Sequence, residues 1–181
     1  MPVLFDPKPG LVIRFDFLWK EEARAGSEQG RKDRPCAIIL ATKPKEDGVR
    51  DVVLCPITHS PPREGETAVE IPPKLARHLK LDDERSWIKT HQVNTVEWEK
   101  DRLPYGVVPA HPGQWVFGQL HHAIGKQAFE QVRENATRKR LRNVRREDDA
   151  FLKKEREKLQ RIGTDKEKRK TRTRGDTERE R

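Results

Sequence analysis

A handful of polar side chains stand where this sequence turns apolar, and their types suit one kind of chemistry. Arg34 opens the run PCAIILAT, Thr58 and His59 close VVLCPITH, and Lys89 and His91 lie two apart in SWIKTHQV. An arginine fork binds phosphate oxygens in pairs and keeps its charge. Histidine titrates near neutrality and suits general acid or base work. A threonine hydroxyl holds a phosphate oxygen in position. Together they fit phosphoryl chemistry on RNA: the 2′-hydroxyl attacks, the crowded anionic phosphorus is stabilised, and the leaving 5′-oxygen takes a proton. Electrostatic stabilisation of that kind is usually the largest contribution. Each residue also has a plainer role open to it. Arg34 would serve as an edge-strand charge, Thr58 as an ordinary turn residue, His91 as a partner for a backbone group, and Glu28 as a solvated loop carboxylate. His111, His121 and His122 lack the carboxylate or cysteine spacing of a metal site, so neither metal nor cofactor is called for.

Strand ends must bring these groups together. LVIRFDFLW, residues 11–19, alternates Val12, Arg14, Asp16 and Leu18 with Leu11, Ile13, Phe15 and Phe17, as a half-buried strand does. The charged stretch 20–33 has two glycines and no apolar stripe, and reads as a long exposed loop of the kind that often carries function. Residues 35–42 read as a central strand, Asp47-Gly48 as a turn, 52–59 as a strand bent or ended at Pro56, and 67–71 as a short strand. One helical turn fits 72–84 after its leading prolines, and β character returns over 86–98. In a strand, positions two apart share a face, so Lys89 and His91 would point the same way. The Pro- and Gly-rich 101–118 reads as irregular. From about Gln119, Leu120, Ile124, Ala128 and Val132 recur at helical spacing. The expected fold is mainly β: five or so short hairpin-linked strands curled into a small barrel or compact sandwich, then a helix that covers an open face.

Charge divides the chain. Residues 138–181 hold 19 Lys and Arg against 10 Asp and Glu, which accounts for the whole formal charge of +9; residues 1–137 are balanced at 20 and 20. The expected organisation is therefore a neutral domain over 1–137 and a basic tail over 138–181, partly helical and then disordered from 163, where apolar residues run out. Such a tail favours polyanions without sequence preference, unless its interleaved acids make it merely a solvated face. Cys36 and Cys55 sit singly in apolar runs, as buried free thiols of a reducing compartment do. MPVLFDPKPG lacks the basic start and apolar run of a signal peptide, and no window approaches a membrane span of about 20 apolar residues. The reading is a soluble, cytoplasmic protein.

GLVIRFDF, GSEQG, RKDRPCAIIL and VVLCPITH, in that order, resemble the MazF/PemK (Kid-like) family of toxins from type II toxin–antitoxin systems. The family shows Gly-x-x-x-x-x-Asp-Phe in its first strand, Arg-Pro opening an apolar strand and Pro-x-Thr ending the next. Gly10, Asp16, Phe17, Arg34, Pro35, Pro56 and Thr58 match. The resemblance covers roughly 9–132 and identifies a divergent branch, since IPPKLARHLKLDDERSWIKTHQVNTVEW is longer than compact members have there. It implies an SH3-like barrel of about five to seven short strands with a C-terminal helix. It further implies a homodimer, a cognate antitoxin, operator DNA bound together with that antitoxin, and metal-independent cleavage of single-stranded RNA. Arg34 and Thr58 inherit the family's catalytic pair. Lys89-Thr90-His91-Gln92 stands where some members have Arg-x-Asp-Gln, so the implied site adds His91 as base. Lys89, Gln92, His59 and Glu28 are its substrate-binding neighbours. Two other classes fit the same residues: a nucleic-acid-binding module without catalysis, and a protein-interaction domain with a peptide in its groove.

Overall fold

The computed structural model describes residues 5–82 and 84–146, which cluster as one compact unit. Nine strands and three helices run in the order β1 (Leu11–Phe15), α1 (Lys20–Arg24), β2 (Arg34–Ala41), β3 (Arg50–Thr58), β4 (Ala68–Ile71), α2 (Pro73–His78), β5 (Ser86–Lys89), β6 (Gln92–Trp98), β7 (Val107–Val108), β8 (Val116–Gln119), α3 (His122–Thr137) and β9 (Arg142–Arg146). The fold is mainly β and barrel-like, as the sequence led one to expect, although the strands do not close into a ring. A path β4-β5-β3-β2-β1-β7 carries β6, β8 and β9 as branches.

Two strands bend the sheet by changing partners along their length. The first half of β3 pairs with β6, Arg50 opposite Trp98 through Leu54 opposite Asn94. Its last residues pair with β5, Ile57 opposite Ile88 and Thr58 opposite Trp87. The exchange falls at Cys55-Pro56, where the proline has no N–H for a ladder. On the other side of the sheet, β1 is met by β8 at Leu11–Ile13 and by β7 at Arg14–Phe15. A register shift in the β2–β3 pair between Ile38 and Leu40 adds to the curl.

The bent sheet separates two apolar clusters. One, beneath α2 and α3, gathers Val12, Ala37, Ile39, Cys55, Ile57, Ile88 and Val132 among others. The other holds Ile13, Phe15, Phe17, Cys36, Ile38, Leu54 and Trp98. Neighbouring residues of β1 and β2 fall into opposite clusters, so both strands are buried on both faces except at Arg14 and Leu40. Cys36 and Cys55 are free and buried on opposite sides, and burial pushes both thiols up.

Four elements differ from the sequence expectation. The strand expected over 11–19 ends at Phe15 and is not half-buried, since Arg14 is its one exposed residue; Asp16, just past its end, is only 8% exposed, because Arg146 reaches it. The Arg146 guanidinium donates to the Asp16 carboxylate at 3.1 Å, to the Asp16 carbonyl at 2.7 Å and to Asn94 Oδ1 at 3.3 Å, and lies over the Phe15 ring at 5.2 Å. Gly106 permits this; with a φ of +92°, its absent Cβ would stand 2.1 Å from Asp16 Oδ1. Secondly, residues 142–146, expected as part of the tail, form β9 and pair in parallel with β6. The tail from 147 onward, with the disorder expected from 163, lies outside the described residues. Thirdly, Lys20–Arg24 is a short helix within the expected loop; Glu22 accepts from the Trp19 N–H and Gln92 Oε1 from the Lys20 N–H, satisfying its first turn. Finally, the stretch expected to be irregular contributes β7 and part of β8. Among the described residues no helix is long and apolar enough to cross a membrane.

Candidate active site

Because β3 changes partners at Pro56, the β5–β6 corner comes round to the end of β3. Cys36 of β2 stands opposite Pro56 of β3, and that register carried two residues outward sets Arg34 across from Thr58. A cleft of about 480 Å3 opens there, lined by Arg34 and Thr58 together with Lys89, His91 and Gln92, and walled by Trp19, Glu66 and Arg142. A second cleft of about 420 Å3 lies beyond, and Arg34 and Thr58 line it too, with His59, Asp82 and His111. Arg34 and Thr58 thus form a ridge between two hollows.

Arg34 is held there without neutralisation. Its guanidinium stacks over Trp19 at 5.1 Å, its Nε is buried with no hydrogen-bond partner, and no carboxylate pairs with it among the described residues. Burial pulls its pKa down from arginine's usual value, against the pull of Glu22. Thr58 Oγ1 donates to the Ser60 carbonyl at 3.3 Å, which orients the hydroxyl oxygen.

The β5–β6 corner is fixed from below. Thr90, between Lys89 and His91, donates to Gln131 Oε1 at 2.7 Å and shares a 2.7 Å hydrogen bond with the Thr67 hydroxyl. Asn135, 3% exposed on α3, donates to Thr67 Oγ1 at 2.7 Å and to the Thr90 carbonyl at 3.0 Å. The C-terminal helix therefore sets where His91 stands. His91 Nδ1 lies 3.3 Å from the Thr67 carbonyl, an acceptor, so in the neutral ring the hydrogen sits on Nδ1 and Nε2 carries the lone pair. Nε2 lies 3.7 Å from a Glu66 oxygen.

Glu66 organises this corner, and nothing in its charged loop marked it beforehand. It accepts from Lys89 Nζ at 2.9 Å and from the Arg63 N–H at 3.0 Å. Burial alone would raise its carboxyl, but those two donors outweigh it and hold Glu66 below the usual carboxylate range. Lys89 also donates to the Pro61 carbonyl at 3.0 Å. Its ammonium is thus engaged inside the cleft wall. Gln92 is similarly occupied, accepting from Lys20 N and donating to Glu21. Glu21 in turn pairs with Arg142 of β9, whose backbone N–H donates to the His91 carbonyl at 2.9 Å.

His59 belongs to the second cleft. Its Nε2 meets Asp82 Oδ2 at 2.7 Å and its Nδ1 the Arg85 carbonyl at 3.0 Å. Both partners are acceptors, so only the imidazolium satisfies them. Partial burial acts to lower its pKa, but the Arg85 carbonyl, Asp82 and Glu84 outweigh that and raise it. His59 pins the α2–β5 connection to the end of β3. Glu28 lines neither cleft; its carbonyl accepts from Arg146.

Five of the seven residues expected at the site, Arg34, Thr58, Lys89, His91 and Gln92, are thus brought to one cleft, and His59 to the adjoining one. Glu66, Arg142 and Trp19 join them unforeseen. No curated protein and no solved structure matches the chain. The family model described as PemK-like, MazF-like toxin of type II toxin–antitoxin system matches residues 9–135, which include Arg34, Thr58 and the β5–β6 corner. The chain belongs to the family of PemK-like, MazF-like toxins of type II toxin–antitoxin systems.

Proposed function

We propose that the protein is an endoribonuclease that cuts single-stranded RNA by attack of the RNA's own 2′-hydroxyl, without a metal ion, and acts as the growth-inhibiting half of a toxin–antitoxin pair. The observation that carries this is the ridge: an unneutralised, partly buried arginine beside a threonine hydroxyl, open to hollows on both sides where the two flanking nucleotides of a strand would lie.

In this reading Arg34 binds the scissile phosphate and stabilises the phosphorane, and Thr58 Oγ1 fixes one of its oxygens. His91 Nε2 takes the 2′-hydroxyl proton, and the nearby Glu66 carboxylate stabilises the imidazolium that forms. The 2′-oxygen–phosphorus bond forms and the phosphorus–5′-oxygen bond breaks. The leaving oxygen takes a proton from Arg34, toward which the burial of that guanidinium works in the right direction. The products are a 2′,3′-cyclic phosphate and a free 5′-hydroxyl. Lys89 and Gln92 hold Glu66 and α1 rather than the phosphate. The partners of this reading are RNA, a cognate antitoxin, operator DNA bound with it, and a second copy of the chain, in the cytoplasm. Incubation of the protein with a long single-stranded RNA in EDTA, with analysis of the product ends, tests it. Cyclic phosphate ends support it. An intact RNA leaves a binding module without catalysis.

A further inference from the structure

Among the described residues three buried side-chain polar atoms lack a hydrogen-bond partner: Asp16 Oδ1, Arg34 Nε and His111 Nε2. Asp16 Oδ1 faces Gly106 within the Arg146 clamp. The other two residues both line the cleft on the far side of the ridge from His91; Arg34 lines the His91 cleft too, so His111 is the one that belongs to this cleft alone. Buried polar groups without partners are rare, and a ligand is one of the things that completes them. The cleft is built to take one. Its roughly 420 Å3 falls within the range of small-ligand sites. Ile57, Leu81 and Phe117 give it apolar wall, beside charged lining from Arg14, Lys32, Asp33, Lys80 and Asp82. The His111 ring is fixed edge-on to Phe117, centroids 5.2 Å apart at 79°, and a backbone bridge to Gln114 holds the turn that carries it, His111 N–H to the Gln114 carbonyl at 3.1 Å and the reverse at 2.9 Å.

We infer that this cleft is a nucleobase subsite, in which the base next to the scissile phosphate lies against the apolar wall and His111 Nε2 hydrogen-bonds its edge, making His111 a specificity-determining residue. The inference rests on the RNA-cleaving reading above, and divides labour between the two hollows. The His91 side carries cations and the proton acceptor and meets the sugar–phosphate. The His111 side is lined by Arg14, Lys32 and Lys80 as well, and adds to these the apolar surface and the edge-reading nitrogen. Phosphate contacts position a strand and base contacts specify it, and single-stranded RNA is read by unstacking bases onto such surfaces.

The test is a map of cut sites on one long RNA for wild type, His111→Ala, His111→Gln and Phe117→Leu, with thermal unfolding to confirm that each variant folds. Wild type is expected to prefer one base at a position flanking the cut. His111→Ala should lose roughly tenfold in discrimination at that position alone, with cutting at other sequences kept. His111→Gln, which retains a hydrogen-bonding side chain, should keep a preference, altered or reduced. An unchanged map in His111→Ala overturns the subsite while leaving the nuclease intact. If wild type cuts no RNA, binding decides: each of the four ribonucleoside monophosphates is titrated while the His111 ring signals are followed by NMR. A shift with one base over the others supports the subsite without the nuclease. No shift with any of the four overturns it.

Discussion

Lys89 and Glu66 form a closed pair in the cleft wall, ammonium to carboxylate at 2.9 Å, with the lysine side chain 6% exposed. A lysine at this place in the sequence invites the role of phosphate ligand, but its charge is already met. Lys89→Met should therefore act by releasing Glu66 and the loop around Pro61. A loss of about 1–3 kcal/mol of stability, seen in urea unfolding, is expected together with slower RNA cleavage and little change in RNA affinity. A large loss of affinity with unchanged stability would make Lys89 a direct phosphate ligand instead.

In the proposed reading Arg34 is the phosphate ligand, and it stands charged, stacked on Trp19 and in no ion pair among the described residues. Arg34→Lys keeps the charge and loses the planar fork and the stack. Cleavage should fall about 10²–10³-fold while the unfolding midpoint moves little, since no ion pair among the described residues is broken. Parallel measurement of cleavage rate and thermal unfolding separates the two.

The Arg146–Asp16 clamp joins β9 to the end of β1, with both side chains buried. Removing one partner of a buried pair leaves an uncompensated charge, so Arg146→Ala should cost about 3–5 kcal/mol in denaturant unfolding. It should also loosen β9 and with it Arg142 at the cleft. Equal stability of the variant would mean that β9 is not bound as described.

His59 makes stability depend on pH. Its pKa is raised in the folded protein, so its contribution is fully present below about 6.5, the ordinary histidine value, and is lost as pH rises through the raised value. The gap in melting temperature between wild type and His59→Asn should be largest near pH 5.5 and close toward pH 8.5. A gap that widens with pH would contradict the imidazolium bridge to Asp82.

The sequence carried the β1–β2–β3 meander and the α3 stripe plainly, because long apolar runs and helical spacing survive in one dimension. Arg34 and Thr58 were legible for a related reason: each stands at a sharp boundary between apolar strand and polar loop. Glu66 was not, since the surrounding PREGE has the composition of any solvated loop, and only the return of that loop over β5 sets it on Lys89. β9 was hidden by its charge. A strand with Val144 as its one apolar residue shows no alternation, and its binding comes from the β6 ladder and from Arg146. The burial of Asp16 followed from that same strand, 130 residues away. His111 read as a stray histidine because its setting depends on Phe117 of β8, against which its ring packs, and on a cleft it shares with Arg34 of β2.

The central claim is that the Arg34–Thr58 ridge breaks RNA, and the rate ratio between wild type and Arg34→Ala on one long single-stranded RNA in EDTA measures it most directly. A ratio of at least about a thousand, with both proteins folded and both binding the RNA, is the predicted result. Equal rates, or no cleavage by wild type at all, would contradict it.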